Sequence, residues 1–138
     1  MKEEFIKKYN NHEYISNDLY LNVLANYSGA VPSNFNIDTY NDIVLEKLYL
    51  LNKDYFDNFY KDIDPNIKLD KEQCKAILSD EKYSLIIAGA GTGKTTTMAS
   101  KVKYLVEKKN ILPEKILVLS YTRKATEELD KRICLDFN

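Results

Sequence analysis

The stretch Ser84-Leu-Ile-Ile-Ala-Gly-Ala-Gly-Thr-Gly-Lys-Thr95 decides how this sequence is interpreted. It opens with a short continuous apolar run, Leu85–Ala88, which is typical of a strand buried on both faces of a sheet. Three of the four glycines of the chain follow within a few residues. A helix is predicted next, from Lys94 to about Lys108, with an apolar stripe along one face. The stretch therefore predicts a strand, a glycine-rich loop and a helix.

The sequence after this stretch repeats the pattern. Ile116-Leu-Val-Leu-Ser120 is a second short apolar run, and Thr122–Ile133 has helical spacing. Strands and helices that alternate with short loops predict a parallel α/β sheet. We expect residues 84–120 to form one right-handed β-α-β unit, because such crossovers are almost always right-handed.

The sequence before the stretch is predicted to be helical. The apolar spacing and capping residues favour helices over Lys2–Asn10, Asn17–Tyr27, Thr39–Asp62 and Lys71–Ser79. We expect two segments, an all-helical N-terminal extension over residues 1–66 and an incomplete α/β domain over residues 67–138.

The amino-acid composition limits the class of protein but does not identify a binding partner. The 138 residues are 44% hydrophobic and 30% charged, with a net charge of −1, which fits a globular protein with a core. Residues 69–138 contain 13 Lys and Arg against 10 Asp and Glu, so this half is mildly basic. No apolar run approaches the roughly 18 residues that a membrane span needs. We therefore expect a cytoplasmic protein with no membrane partner.

The glycine-rich loop matches the phosphate-binding pattern G-x-x-x-x-G-K-[ST], except that Ala88 stands at the first position. Backbone N–H groups can turn inward around phosphate oxygens where glycine allows close approach, and the helix N-terminus favours the same anion. Lys94 would supply a cation for the phosphates, and the Thr95 hydroxyl would bind Mg²⁺. The alternative is a glycine-rich turn without a ligand.

Three motifs in order resemble those of UvrD/Rep-type superfamily 1 DNA helicases. Leu69-Asp-Lys-Glu-Gln73-Cys-Lys-Ala-Ile77 resembles the helicase Q motif, and the loop after Ile87 is similar to that family's Walker A motif. Val118-Leu-Ser-Tyr-Thr-Arg-Lys-Ala125-Thr-Glu-Glu-Leu129 resembles motif Ia. The resemblance covers about half of the chain and implies a partial RecA-like P-loop NTPase sheet.

The resemblance also implies a site for ATP and Mg²⁺. Lys94 and Thr95 would serve catalysis, and Thr95 would be the Mg²⁺ ligand. The implied nucleotide-binding residues are Gln73, Ala88, Gly89, Ala90, Gly91, Thr92, Gly93, Lys94, Thr95 and Thr96. Gln73 would hold the adenine base through its amide, but Asp70 and Gln73 also have the spacing of a helix capping box. Both roles remain open on the sequence alone.

Single-stranded DNA is the partner that motif Ia implies for the complete protein. Tyr121 stands where the family has an aromatic residue for stacking on bases, although a tyrosine packed at a strand end is the alternative. Thr122 and Lys124 would contact phosphates, although Lys124 could equally be a solvated lysine at the start of a helix. Arg123 is also among the implied DNA-binding residues and stands where the family usually has Asn.

Two parts of a working motor cannot be assigned in this sequence. Nothing after Ile133 matches a strand with the Asp-Glu pair that holds Mg²⁺ and activates water, and no arginine finger is identified. We expect the ATP-binding segment of a helicase, inactive alone and representing the first piece of a longer protein. The alternative is a truncated nucleotide- or DNA-binding interaction protein without turnover. A small P-loop kinase would leave the Q motif and motif Ia as coincidences.

Overall fold

A computed structural model describes the backbone of residues 1–135 and the side chains of residues 1–133. Seven α-helices follow in chain order: α1 (Lys2–Asn10), α2 (Asn17–Asn26), α3 (Ile37–Leu51), α4 (Lys53–Asp57), α5 (Lys71–Leu78), α6 (Lys94–Glu107) and α7 (Arg123–Asp130). Short 3₁₀ turns span Ser28–Ala30 and Pro113–Lys115, and a π-helix spans Lys131–Leu135. Among the described residues, no helix has both the length and the hydrophobicity to cross a membrane.

Side-chain hydrogen bonds mark the starts of α2 and α3. The side chains of Ser16 and Asn36 accept hydrogen bonds from the backbone N–H groups of Leu19 and Thr39, and so cap α2 and α3. Such bonds satisfy backbone donors that the first helical turn leaves unpaired. The helical predictions for α1, α2, α5 and α6 are confirmed to within a residue or two at each end.

The single long helix predicted over Thr39–Asp62 is wrong. Helix α3 ends at Leu51, and α4 is a separate short helix. The Asn52 side chain donates to the Leu48 carbonyl at 2.8 Å, and Asn52 has φ −105° and ψ 13°. An asparagine that bonds to nearby backbone competes with helix continuation, so an uninterrupted apolar spacing overestimates helix length here.

The chain divides into two compact units. The first comprises residues 1–55 and 78–85, and the second comprises residues 56–77 with the described residues from 86 onward. The first unit has a core of Phe5, Ile15, Leu19 and Val23. Aromatic side chains surround that core in tilted, edge-on and stacked contacts, namely Tyr9, Tyr20, Phe35 and Tyr40. The boundary predicted at residue 66 stays a prediction.

Two polar side chains order the turn between α1 and α2 in the first unit. Asn41 is buried, and its amide accepts from the Ile15 N–H at 3.1 Å and donates to the Ile15 carbonyl at 2.7 Å. Glu81 accepts from the Tyr14 hydroxyl at 2.8 Å and from the Asn17 N–H at 3.0 Å. The backbone of this irregular turn therefore has partners without a strand beside it.

The second unit packs around α6. Its buried residues include Cys74 and Ile77 from α5, Ala99, Ser100 and Tyr104 from α6, and Phe59, Tyr60 and Leu129. Lys101 donates to the Ile77 carbonyl at 2.6 Å, and Lys103 donates to the Phe59 carbonyl at 3.3 Å. Both bonds come from α6, so this helix holds the elements before the loop in place.

The parallel sheet predicted from the two apolar runs is contradicted. No residue in the described part of the chain forms a strand, so neither residues 84–88 nor residues 116–120 pair in a β-α-β unit. Apolar side chains of both runs face solvent: Leu85, Ile86 and Ile87 are 85%, 46% and 87% exposed in the first run, and Leu117 and Leu119 are 81% and 76% exposed in the second. A strand needs hydrogen-bonding neighbours, and in doubly wound sheets consecutive strands need not be adjacent. The structure is an all-helical arrangement with two extended segments.

Candidate functional site

The glycine-rich loop makes a left-handed turn directly into α6. Gly91 has φ +74° and Gly93, the residue before the helix, has φ +85°. Residues with a side chain rarely adopt this region of φ, so glycine is favoured at both positions. A Cβ atom at Gly93 would also lie 2.7 Å from Gln73 Nε2. The turn brings the loop backbone close to the side chain of the Q-motif glutamine.

Lys94 lies against the inner carbonyls of the loop. Its ammonium donates to the Ala88 carbonyl at 3.0 Å and makes a second, short hydrogen bond to the Gly89 carbonyl. Thr92 closes the same loop, since its hydroxyl donates to the Gly89 carbonyl at 2.8 Å. The predicted residues Ala88, Gly89, Thr92 and Lys94 are therefore brought together. The lysine charge is held within the concavity of the loop.

Gln73 has the capping-box geometry that the sequence left open. Its Oε1 accepts from the Asp70 N–H at 2.9 Å, and its own N–H donates to Asp70 Oδ1 at 2.8 Å. Its Nε2 also donates to the Thr92 carbonyl at 3.2 Å. The amide retains a second N–H and a second lone pair. Gln73 thus links the start of α5 to the loop and keeps hydrogen-bonding capacity for a ligand.

A cleft of about 190 Å³ lies beside the loop. Its lining includes Gln73, Ala88, Thr92 and Lys94. Asp70, Glu72, Ala76, Ile86, Ile87 and Thr97 complete the lining. A volume of this size is below the roughly 300 Å³ at which ligand pockets commonly begin, so the cleft fits part of a nucleotide rather than the whole molecule.

Hydrogen bonds on the buried side of α6 fix its first turns. The Thr97 hydroxyl donates to the Gly93 carbonyl at 3.0 Å, and the Ser100 hydroxyl donates to the Thr96 carbonyl at 2.8 Å. The Tyr60 hydroxyl lies 2.7 Å from Ser100 Oγ. Helix α6 is therefore anchored at the end where the loop enters it, which favours a fixed direction for its free N–H groups.

The residues predicted to contact DNA lie at the start of α7. Thr122 caps this helix, because its hydroxyl accepts from the Ala125 N–H at 3.2 Å. The Tyr121 side chain is fully exposed, and Arg123 and Lys124 are exposed as well. Within the described chain, no hydrogen bond or ion pair joins these four residues to the loop. The structure does not place Tyr121 in a packed core, which was the alternative interpretation.

Arg132 is a residue that the sequence interpretation missed. Its Nη1 donates to the Thr96 hydroxyl at 3.0 Å, and its Nη2 pairs with Glu128 Oε1 at 3.2 Å. The i,i+4 spacing of Glu128 and Arg132 could have indicated the ion pair. Nothing in the sequence could indicate the Thr96 contact, which joins residues 36 positions apart. Among the described residues, no group of three or more His, Cys, Asp and Glu side chains is arranged to hold a metal ion.

Comparison with known proteins gives one family match. The model of the UvrD/REP helicase N-terminal domain matches residues 69–138, which is half of the chain. That range includes the loop, the Q-motif glutamine and the start of α7. No solved structure gives a significant match.

Several curated proteins are similar to the same part of the chain. A probable DNA helicase II homolog of Mycoplasma capricolum is 45% identical over 65 residues, which are 47% of this chain and 9% of that protein. DNA helicase IV of Escherichia coli is 36% identical over 76 residues, 55% of this chain and 11% of that protein. The ATP-dependent DNA helicase PcrA of Staphylococcus epidermidis is 37% identical over 65 residues, 47% of this chain and 9% of that protein. The matched region spans about a tenth of these relatives.

Proposed function

The chain belongs to the UvrD/REP helicase N-terminal domain family, and we propose that it is the ATP-binding segment of an ATP-dependent DNA helicase. In this function the loop from Ala88 to Thr95 binds the nucleotide phosphates, and the complete motor translocates along single-stranded DNA. The relatives that share residues of this segment carry the names of DNA helicases, one of them ATP-dependent. The names of these relatives support the proposal that this chain is part of a DNA helicase.

The observation that carries the proposal is the geometry of the loop. Two left-handed glycines, Gly91 and Gly93, lead directly into the 14-residue helix α6. The free N–H groups and the dipole of a helix N-terminus favour an anion, and the Lys94 ammonium is held on the same concave side. A phosphate group would meet a donor-rich surface with one full positive charge. These features support nucleotide binding more directly than the sequence pattern alone.

The residues present fit a nucleotide with Mg²⁺. Thr95 is in the first turn of α6, next to Lys94, where its hydroxyl can serve as a Mg²⁺ ligand, and the bound ion would neutralise phosphate charge. Gln73 keeps one amide N–H and one lone pair for the adenine edge beyond its bonds to Asp70 and Thr92. The proposal therefore assigns Gln73 both the capping role and the base contact.

Single-stranded DNA is proposed to bind at the start of α7. The exposed Tyr121 ring offers a face on which a base can stack, a contact worth about 1–3 kcal/mol. Thr122, Arg123 and Lys124 follow it and supply a hydroxyl and two positive charges for the phosphate backbone. The proposed DNA contact is independent of the nucleotide site: the DNA contact could be wrong while the nucleotide site is correct.

Substitution of Lys94 tests the nucleotide site. Lys94→Ala removes the one full charge held at the loop, and we expect binding of Mg-ATP to weaken by about 30-fold or more, equivalent to about 2 kcal/mol. Titration calorimetry of the 138-residue chain measures this loss. Lys115→Ala is the matched control, since it removes an exposed lysine in the turn Pro113–Lys115. Equal affinities for the wild type and Lys94→Ala would contradict the proposal.

We further propose that this chain alone does not turn over ATP. Hydrolysis needs a group that orients the attacking water and a cation that stabilises the transition state, and an arginine finger alone contributes roughly 10³–10⁵ in rate. Neither group is assigned among these residues. Phosphate release should therefore stay at background, with or without single-stranded DNA. Turnover of several per second that Lys94→Ala abolishes would overturn this part of the proposal.

A further inference from the structure

Thr96 is held from two directions in the first turn of α6. Its carbonyl accepts from Ser100 of the same helix, and its hydroxyl accepts from Arg132 Nη1 at 3.0 Å. The first contact is local to α6. The second comes from the π-helix Lys131–Leu135, which follows α7. Thr96 directly follows Lys94 and Thr95, so Arg132 contacts the turn that carries the proposed phosphate and Mg²⁺ ligands.

The Arg132 guanidinium connects two helices through different nitrogens. Nη1 binds Thr96 on α6, and Nη2 forms the ion pair with Glu128 on α7. The guanidinium is planar and presents its donors in a fixed fork, so a shift of one partner changes the geometry at the other. The π-helical turn that carries Arg132 is rare and is often found at functional sites. This turn places the fork between α6 and α7.

Helix α7 joins Arg132 to the proposed DNA contact. The helix starts after its cap, Thr122, and covers the eight residues Arg123–Asp130. At 1.5 Å per residue it is about 12 Å long, so a continuous hydrogen-bonded helix joins the cap at Thr122 to Glu128. Displacement of its start by DNA would be transmitted to Glu128 and Arg132 at its other end.

We propose that Arg132 is a positioning residue that couples the DNA-contacting segment Tyr121–Lys124 to the Mg²⁺-binding turn of α6 through its hydrogen bond to Thr96. This inference rests on the proposed function, because it needs both ligands to bind. Coupling between two sites is reciprocal: DNA that changes the nucleotide affinity must have its own affinity changed by the same factor. The Arg132–Thr96 bond is the physical link through which the two sites influence each other.

The test measures coupling rather than affinity alone. The 138-residue chain is titrated with Mg²⁺ and a slowly hydrolysed ATP analogue, with and without saturating oligo(dT). For the wild type we expect DNA to change the nucleotide affinity by about fivefold or more, the lower end of typical coupling. In Arg132→Gln, the nucleotide affinities with and without DNA should differ by no more than about twofold. A residue that is merely structural would instead weaken binding equally with and without DNA.

Three further variants identify the bond. Thr96→Val removes the acceptor without changing the Arg132–Glu128 pair, and it should lose coupling to the same extent as Arg132→Gln. The double variant should be no worse than either single variant, since both remove one interaction. Lys131→Gln is the control: it removes an exposed positive charge on the same turn and should keep the wild-type factor.

The outcomes separate this inference from the proposed function. Unchanged coupling in both Arg132→Gln and Thr96→Val overturns the inference alone. Wild-type chain that binds the nucleotide analogue with no response to DNA also overturns the inference alone. Wild-type chain that does not bind the nucleotide analogue overturns the proposed function and the inference together.

Discussion

Helix α6 and the two extended apolar segments, residues 84–88 and 116–120, are neighbours in sequence but differ in how their backbones are satisfied. Helix α6 closes its hydrogen bonds internally and buries Ala99, Ser100 and Tyr104. The extended segments have a higher fraction of hydrophobic residues than α6, yet Leu85, Ile87, Leu117 and Leu119 are exposed to solvent. A helix forms from its own residues, whereas a strand requires a partner. A hydrophobic segment is therefore buried only when a second surface is available to pack against it.

Two isoleucines, one in a helix and one in an extended segment, allow the contribution of burial to stability to be measured. Ile77 in α5 is 0% exposed, whereas Ile87 in the extended segment is 87% exposed. Ile77→Ala should lower the free energy of unfolding by about 2–5 kcal/mol, through lost burial and the cavity left behind. Ile87→Ala should change it by less than about 0.5 kcal/mol. Urea denaturation followed by circular dichroism gives both values. A loss for Ile87→Ala as large as that for Ile77→Ala would mean that the segment is buried in solution.

Asn41 shows a second way to satisfy backbone groups, because its side chain orders irregular backbone without a strand. Asn41→Ala leaves the N–H and carbonyl of the fully buried Ile15 without their side-chain partner, and we expect a loss of about 2–3 kcal/mol in unfolding free energy. The control is Asn26→Ala, since this exposed side chain donates to the Asn22 carbonyl of its own helix and so makes a local contact. Thermal denaturation should show a clear decrease for Asn41→Ala alone. Equal melting temperatures for the two variants would show that the Ile15 contacts contribute little.

Substitution of Tyr14 should have the smallest effect on the free energy of unfolding, and this effect should depend on pH. Burial, together with the hydrogen bond to Glu81 and its charge, raises the pKa of Tyr14 above the ordinary value. The folded state therefore favours the neutral phenol, so this contribution is complete below pH 10 and is lost as the pH rises further. Tyr14→Phe should cost about 1 kcal/mol near pH 8, and the difference from the wild type should narrow above pH 10.

Urea denaturation midpoints at pH 8 and pH 11 measure how the stability difference between the wild type and Tyr14→Phe changes with pH. Tyr27→Phe serves as the control, because Tyr27 is an exposed tyrosine of the same unit and its substitution keeps the total tyrosine count equal to that of Tyr14→Phe. A difference between the wild type and Tyr14→Phe that is the same at both pH values would contradict a role for the Tyr14–Glu81 contact in alkaline stability.

The sequence predicts the local parts of the fold and not the parts that depend on neighbours. Helices α1, α2, α5 and α6 follow from apolar spacing, because their hydrogen bonds form within each segment. Side-chain caps from Ser16 and Asp70 support α2 and α5. The break after Leu51 was missed because one side-chain bond, from Asn52 to Leu48, ends a helix whose apolar spacing continues. The sheet was predicted from hydrophobic runs, but pairing depends on strands that these runs do not themselves supply.

The candidate site also has features that the sequence predicts and contacts that it does not. The family and the spacing of its three motifs were predicted from the sequence, and the UvrD/REP helicase N-terminal domain match confirms the family. The individual ligand contacts stay predictions. The sequence could not show that Gln73 bonds to Asp70 and to the Thr92 carbonyl at once, because the second bond bridges 19 positions. The Arg132–Thr96 bond was inaccessible for the same reason.

The left-handed backbone of Gly93 has a consequence for how this gene can change. Every glycine codon is a single base away from codons for larger residues, but asparagine, which tolerates this conformation comparatively well, is two bases away. Aspartate also tolerates it and is reachable in one step from half of the glycine codons, yet it would place a negative charge beside the proposed phosphate site. Position 93 therefore has no accessible replacement that keeps both the conformation and the charge.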